Sequence, residues 1–249
     1  MTENNEKSDL KEIVYPGEVL TDDMNMLPGR GAVRDGDKIR TIYIGLKNIR
    51  GKYVNVVPLK GKLYTPSVGD KIIGKVVDKN PVKWRVDINA KDTAMLRPSD
   101  VINRHAKRPY GHKKMSRREM EAEAMKTFNM GDMMICKILS CDRVSSPVIT
   151  TVGEGLGKVN GGIVMQIDVP KIPRIIGKRG SMIKLLKNLT HCKLFVAKNG
   201  RVWLKGNSFE HERVLMDAIM KIERESHTSG LTDRIEHYIK TEKENRGIN

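Results

Sequence analysis

The sequence predicts a multi-domain chain of mixed class, with a small N-terminal β unit, then a β-barrel, then an α+β domain. Three observations lead there. The 249 residues have room for two or three small cores rather than one large one. Apolar residues make up 39% of the chain, yet it holds only three Phe, two Trp and six Tyr, so its cores are built from Val, Ile, Leu and Met. The apolar pattern also changes period, from short glycine- and proline-punctuated alternating runs to helical spacing in the last third.

Composition narrows the partner. A formal charge of +16, from 46 Lys and Arg against 30 Asp and Glu, favours a polyanion, because each phosphate neutralised by a cation releases condensed counterions. Nucleic acid leads over a membrane surface, since no apolar run approaches 18 residues and no basic amphipathic helix with aromatic anchors is visible. The opening MTENNEKSDLKE is polar, without the apolar core of a signal peptide, so a soluble, cytoplasmic protein is expected. Cys136, Cys141 and Cys192 lack Cys-x-x-Cys spacing; neither a disulfide framework nor a metal site is expected, and all three are read as small apolar filler.

Residues 1–65 form the first unit. Beyond a polar start come short segments at Val14–Leu20, Lys38–Leu46 and Tyr53–Pro58, whose β-branched density predicts strands. No helix pattern follows Gly29-Arg30-Gly31, so these glycines are expected in hairpin turns. Residues 66–152 form the second unit. Gly69-Asp70-Lys71-Ile72-Ile73 is echoed by Gly131-Asp132-Met133-Met134-Ile135, each a turn feeding a strand, with the aspartates expected to bond the following backbone N–H groups. Between them Lys83 to Asn89 alternates strictly, with Trp84, Val86 and Ile88 on a packed face and Lys83, Arg85 and Asp87 on an open one. A basic insert, 103–127, interrupts this unit. Residues 104–118 hold seven Lys or Arg, Arg108, Lys113 and Lys114 among them, and no carboxylate; a short helix is expected from Arg117.

Residues 153–229 form the third unit. After a glycine-rich linker, Ile163 to Val169 is read as a strand ending at Pro170. A short helix follows, then Gly177-Lys178-Arg179-Gly180, then a helix carrying Met182, Leu185, Leu186 and Leu189. Lys193–Ala197 and Arg201–Leu204 make a hairpin through Lys198-Asn199-Gly200, and Ser208 caps a last helix with Val214, Leu215, Ala218, Ile219 and Ile222 on one stripe. Between Gly153 and Gly206 eleven Lys or Arg face two carboxylates. Residues 230–249 read as a charged C-terminal tail, with a short charged helix from Thr232 and a loose end. The Gly-x-x-Gly loop is the candidate site. Its glycines let the backbone approach a bulky partner, a helix start presents N–H groups, and Lys178 and Arg179 add cations, which together suit a sugar-phosphate backbone.

This element order with Gly177-Lys178-Arg179-Gly180 between two helices resembles the KH domain, whose loop clamps four nucleotides of a single strand. Residues Gly69 to Val76, Trp84 to Asn89 and Gly131-Asp132 resemble the S1 domain, an OB-fold barrel. The tandem, with an N-terminal β unit bearing Pro16-Gly17-Glu18-Val19-Leu20, is similar to the archaeal RNA exosome cap subunit of the S1 and KH type. The resemblance implies a non-catalytic subunit, three copies of which sit on a hexameric ring of RNase PH-like subunits. It would bind single-stranded RNA, favouring A-rich tails, and pass the 3′ end to the ring.

RNA contact is assigned to Gly177, Lys178, Arg179 and Gly180 with Arg174 and Lys184, to Lys83 and Arg85 on the barrel, and to Arg108, Lys113 and Lys114 in the insert. No catalytic residue, cofactor or metal is assigned. The N-terminal unit is expected to dock on the ring. A free-standing S1 and KH regulator or translation-associated factor stays open as the alternative. Trp84, alternating with Val86 and Ile88, is read as core, so backbone electrostatics should outweigh base stacking on the barrel.

Overall fold

The computed structural model describes residues 12–58, 64–102, 116–142, 145–226, 228 and 230–247. It divides into two compact units, Met1–Lys62 and Leu63–Asn249.

The first unit consists of seven short strands, β1 (Ile13–Val14), β2 (Val19–Thr21), β3 (Leu27–Pro28), β4 (Ala32–Asp35), β5 (Lys38–Thr41), β6 (Gly45–Arg50) and β7 (Tyr53–Pro58), in two sheets ordered β1-β6-β7-β3 and β2-β5-β4. Val14, Leu20, Ile39, Val54 and Val56 bury to form its core. The run Lys38–Leu46 is two strands rather than one. Thr41 breaks it, because its Oγ1 donates to the Tyr43 carbonyl at 2.7 Å and accepts from the Tyr43 N–H at 3.2 Å, which holds residues 42–44 in a bend. Gly29 and Gly31 do not turn a hairpin either, since β3 pairs with β7 and β4 with β5. They let the chain cross beneath β7: a Cβ on Gly31 would lie 2.8 Å from the Val56 carbonyl.

The second unit begins with a closed barrel of β8 (Lys71–Asn80), β9 (Lys83–Asp87), β10 (Ala94–Leu96), β11 (Met133–Ser140) and β12 (Val148–Thr150), in which β12 pairs with both β10 and β11. The repeated Gly-Asp phrase explains its central pair. Gly69 and Gly131 turn with φ of +89° and +87°, and the two echoing strands then run antiparallel side by side, Ile73 opposite Ile135. Trp84, Val86 and Ile88 are fully buried as the alternation required. Trp84 meets Phe128 edge to face at 5.8 Å and donates Nε1–H to the Phe128 carbonyl at 3.2 Å. Within the insert, α1 (Arg117–Ala124) starts at Ser116 with a capping box: the Ser116 hydroxyl accepts from the Glu119 N–H, and the Glu119 carboxylate accepts from the Ser116 N–H. In the stretch read as a linker, β13 (Gly157–Lys158) instead adds to β11 at the barrel edge.

The α+β part follows the predicted order: β14 (Ile163–Gln166), α2 (Ile172–Ile176), α3 (Ser181–Thr190), β15 (Lys193–Val196), β16 (Arg201–Lys205) and α4 (Phe209–Arg224), with the sheet ordered β14-β16-β15. β14 stops three residues short of expectation, because Pro170 fixes a 3-10 turn over Val169–Lys171. The last residues, read in the sequence as a short charged helix and a loose tail, hold a longer helix anchored by apolar side chains. Leu231–Asn245 is a helix, α5, whose Leu231, Ile235 and Ile239 sit one turn apart and bury in the same core as α3 and α4. Burial of each is worth roughly 1.5–3 kcal/mol and helps to order the segment. Arg246 then bridges to Asp217 of α4 at 3.2 Å and Glu242 at 2.8 Å.

Barrel and α+β part are joined by the hairpin tip 198–200. Beyond Asp87, where β9 ends, β8 has no strand partner on that side, so the Ile73 backbone needs other hydrogen bonds. The Asn199 side-chain amide supplies them as a peptide would: Nδ2 donates to the carbonyls of Ile73 (2.7 Å) and Ile88 (2.8 Å), and Oδ1 accepts from the Ile73 N–H (3.3 Å). Arg201 adds Nη1–H bonds to the carbonyls of Ile73 and Asp87 and an ion pair with the Asp87 carboxylate. Ile73 lies on the barrel's outer face yet is fully buried there.

Replacing Asn199 with Ala strands the Ile88 carbonyl and the Ile73 N–H, and Asn199→Asp puts a carboxylate against the carbonyls of Ile73 and Ile88. The Ala variant should lose about 2–4 kcal/mol of unfolding free energy, read as a lower urea midpoint, and the Asp variant more. An unchanged midpoint for both would mean that the joint carries no stability.

Candidate nucleic-acid interface

The Gly-x-x-Gly loop is built by two helices that cannot fuse. α2 ends at Ile176; Gly177 takes φ +73°, ψ 172°, Arg179 sits at φ 54° and Gly180 at φ +79°, and α3 begins at Ser181. Ile175 and Met182 bury on either side and anchor both stems. The tip between them stays outside, with Lys178 and Arg179 exposed. The two glycines serve different needs. A Cβ on Gly177 would fall 2.7 Å from the Met182 backbone nitrogen, so the loop closes only with glycine there, whereas Gly180 faces open space and needs only its left-handed φ. No side chain caps α3, and Arg174 and Lys184 are exposed on the flanking helices. An open groove runs beside the loop, with Arg174, Lys178 and Ser181 on one wall and Thr232 and Asp233 of α5 on the other.

The barrel residues form a separate surface. Arg85 is exposed on the outer face of β9, and Lys83 is half-buried. Lys83 lines a groove floored by Pro81, Val82 and Met95, whose other cations are Arg97 and Arg118. Arg97 went unnoticed in the sequence because it is isolated in a neutral stretch; only the β9–β10 pairing and α1 bring it to Lys83. Arg108, Lys113 and Lys114 lie outside the described residues.

The remaining charges are tied into the framework. Asp70 and Asp132 do not bond the N–H groups that follow them. Asp70 accepts from the Tyr64 hydroxyl at 2.7 Å and from Lys198 at 2.6 Å, while Asp132 accepts from the Asn129 N–H and from Lys158. The Asn129 bond, then Lys158, hold the Asp132 carboxyl below its ordinary pKa. Burial alone would raise Asp87, but the Asn89 N–H and Arg201 outweigh it and leave it lowered. Burial pushes the Cys136 thiol up to about 12 and Cys192 upward too, so neither is a thiolate near neutral pH. Cys136 and Cys192 are buried filler as expected, and Cys141 is partly buried against the barrel core. Among the described residues no group of three His, Cys, Asp or Glu could hold a metal ion, and no helix is long and apolar enough to cross a membrane.

A five-stranded barrel joined to an α+β domain with an exposed basic Gly-x-x-Gly loop defines a protein of the S1 and KH nucleic-acid-binding class. Comparison with known families agrees: residues 63–140 match the family "RRP4, S1 domain" and residues 162–216 the family "KH domain". The exosome complex component Rrp4 of Methanobrevibacter smithii is 39% identical over 91% of this chain and 70% of its own length. Its counterpart in Thermococcus kodakarensis is 38% identical over 92% and 85%, and that of Saccharolobus solfataricus 35% over 92% and 88%. The crystal structure of an exosome complex RNA-binding protein, 33% identical, superimposes with a TM-score of 0.62 over 74% of this chain and 99% of its own. The chain belongs to the archaeal Rrp4 family.

The unequal demands on the two glycines are testable. Gly180→Asn, which tolerates a left-handed φ, should leave the thermal midpoint within a few degrees of the parent, whereas Gly177→Asn should lower it by about 8 °C or more. Equal midpoints would show that the Gly177 contact with Met182 relaxes freely.

Proposed function

We propose that the chain is a non-catalytic RNA-binding cap of an archaeal exosome. It holds single-stranded RNA and delivers the 3′ end to a ring of RNase PH-like subunits, with three caps per hexameric ring and a preference for A-rich tails. The cytoplasm is the proposed compartment. The carrying observation is the Gly177–Gly180 loop, where two exposed cations and a helix start meet with no side chain in the way. Gly177, Lys178, Arg179, Gly180, Arg174 and Lys184 take the backbone of about four nucleotides. Lys83 and Arg85, with Arg97 and Arg118, offer a second electrostatic contact on the barrel, and Arg108, Lys113 and Lys114 are assigned to the same strand of RNA. Catalysis is left to the ring, since both S1 and KH domains are binding modules.

For Lys178→Asp with Arg179→Asp, affinity for a single-stranded RNA of about 12 nucleotides at low salt should fall at least tenfold, with an unchanged circular dichroism spectrum. Incubation of the parent chain with phosphate and magnesium should leave the RNA at full length until ring subunits are added. Undiminished affinity would move the RNA to the barrel, and shortening by the chain alone would make it an enzyme.

Docking on the ring is assigned to the N-terminal unit. Up to Lys62 the chain holds eleven Lys and Arg against nine carboxylates, nearly balanced, unlike the α+β part. Its surface instead carries exposed apolar groups. Ile42, Tyr43 and Ile44 stand exposed in a row at the bend that Thr41 pins, and Ile13, Leu46 and Val57 are direct neighbours across β1, β6 and β7 on the outer face. Such contiguous apolar surface marks a protein contact. Ile42→Asp with Ile44→Asp should abolish co-purification with RNase PH-like subunits and leave RNA affinity intact. Retained co-purification would assign docking elsewhere.

A further inference from the structure

The α+β sheet has two faces, and the helices cover only one. Leu194, Val202 and Leu204 point to the helices and bury. The alternate positions form three cross-strand rows on the opposite face. The register places Gln166 beside Arg201, then Val164 beside Trp203 beside Phe195, then Lys205 beside Lys193. The first row is consumed by the barrel joint, where Arg201 holds Asp87 and Gln166 donates to Asn89. The other two rows are not. Val164, Trp203 and Phe195 are half-exposed and belong to neither hydrophobic core, and Lys193 and Lys205 are exposed.

Three features of this face need a reason. It carries one of the chain's two tryptophans and one of its three phenylalanines as ladder neighbours, while the other tryptophan is sealed inside the barrel. Two lysines stand directly opposite each other, a pairing that costs free energy, and among the described residues neither has a carboxylate partner. The Trp203 ring is also fixed from its edge. Its Nε1–H donates to the Gly161 carbonyl at 2.9 Å, and Lys205 reaches the Asn160 carbonyl at 2.9 Å. The loop fits against them only because Gly162 lacks a side chain, whose Cβ would fall 2.9 Å from Trp203 Nε1. An indole held by its edge keeps a face available and loses little entropy on binding.

We propose that this helix-free face is a second single-stranded RNA contact, in which a nucleobase stacks on Trp203 with Phe195 beside it, and Lys193 and Lys205 take the adjoining phosphates. Aromatic side chains interleaved with cations are what a flexible single strand recognises without sequence preference. Lys205 keeps ammonium protons to donate beyond the one given to Asn160. The contact is separate from the Gly-x-x-Gly loop, which takes sugar-phosphate, and it gives the KH part a stacking surface that the described residues of the barrel lack. It rests on the reading of the chain as an RNA binder.

The chain contains its own probe, since Trp84 is fully buried and only Trp203 can report on a bound base. The full chain is titrated with end-labelled oligoadenylate of about 12 nucleotides at low salt, following label anisotropy and tryptophan emission together. Emission should be quenched in step with the anisotropy, and an abasic strand of equal length should bind without quenching. Trp203→Leu should abolish the quench and weaken binding about tenfold. Trp203→Phe, which keeps an aromatic face and serves if the Leu variant fails to fold, should retain affinity within about threefold. Lys193→Glu with Lys205→Glu, both exposed, should weaken binding and flatten its salt dependence. If anisotropy rises with no change in emission and the lysine variant, with any folded Trp203→Leu, binds as the parent does, this second contact is overturned and RNA binding through the loop stands. If anisotropy does not rise at all, the RNA-binding reading fails and takes the second contact with it.

Discussion

The side-chain amide of Asn199 is the constraint on which the barrel and the α+β part both depend. A closed barrel still has a place where one strand outruns its neighbour, and here β8 extends beyond the end of β9 and leaves the Ile73 backbone without a ladder on that side. Water could satisfy those groups, but Ile73 is fully buried. An asparagine at a hairpin tip imitates the missing peptide, and Arg201 of the same hairpin neutralises Asp87 beside it. The sequence requirement is strict, because the tip must place donor and acceptor together: Gly200 has φ +84°, and a Cβ on it would lie 2.6 Å from the Ile167 carbonyl. The tripeptide Lys198-Asn199-Gly200, which reads locally as an ordinary hairpin turn, is therefore an inter-domain fastening.

That difference shows where sequence reasoning ends. Elements set by local chemistry were legible: the Trp84, Val86 and Ile88 face, the Gly-x-x-Gly loop between two helices, and the order of the α+β part. The repeated Gly-Asp phrase was visible too, but its meaning was not, since only pairing shows that the two copies lie antiparallel to one another. Features that depend on distant partners were read wrongly or missed. Thr41 is a local exception, whose bond to Tyr43 breaks an apparently continuous strand. The helix from Leu231 was legible only as short and charged, because the charges between Leu231, Ile235 and Ile239 hid the apolar stripe that α3 and α4 accept. Arg97 carries no local signal at all and becomes interesting only beside Lys83 and Arg118.

The charge distribution follows the same division between framework and surface. Asp70, Asp87 and Asp132 are each matched to a cation, Lys198, Arg201 and Lys158, in positions that hold turns or the joint in place. The loop cations Lys178 and Arg179 and their neighbours Arg174 and Lys184 are exposed around a helix start that no side chain caps. Self-repulsion among cations left without carboxylates is a standing cost that an anionic partner removes. Evolution of a merely soluble surface would have interspersed both signs.

A rigid joint changes what weak contacts can do. Each of the surfaces described, loop, barrel groove and open sheet face, offers only a few contacts, and a short stretch of RNA on one alone would bind weakly. With the barrel and the α+β part fastened through Asn199 and Arg201, a strand held at one surface meets the next at an effective concentration fixed by the protein rather than by a floppy linker. Binding then avoids the entropy of ordering two domains at each encounter. A machine that degrades a strand from its end needs that strand held overall but released step by step, and several individually weak, sequence-tolerant contacts, acting as proposed, would meet both demands. A single tight base-reading pocket would meet only the first.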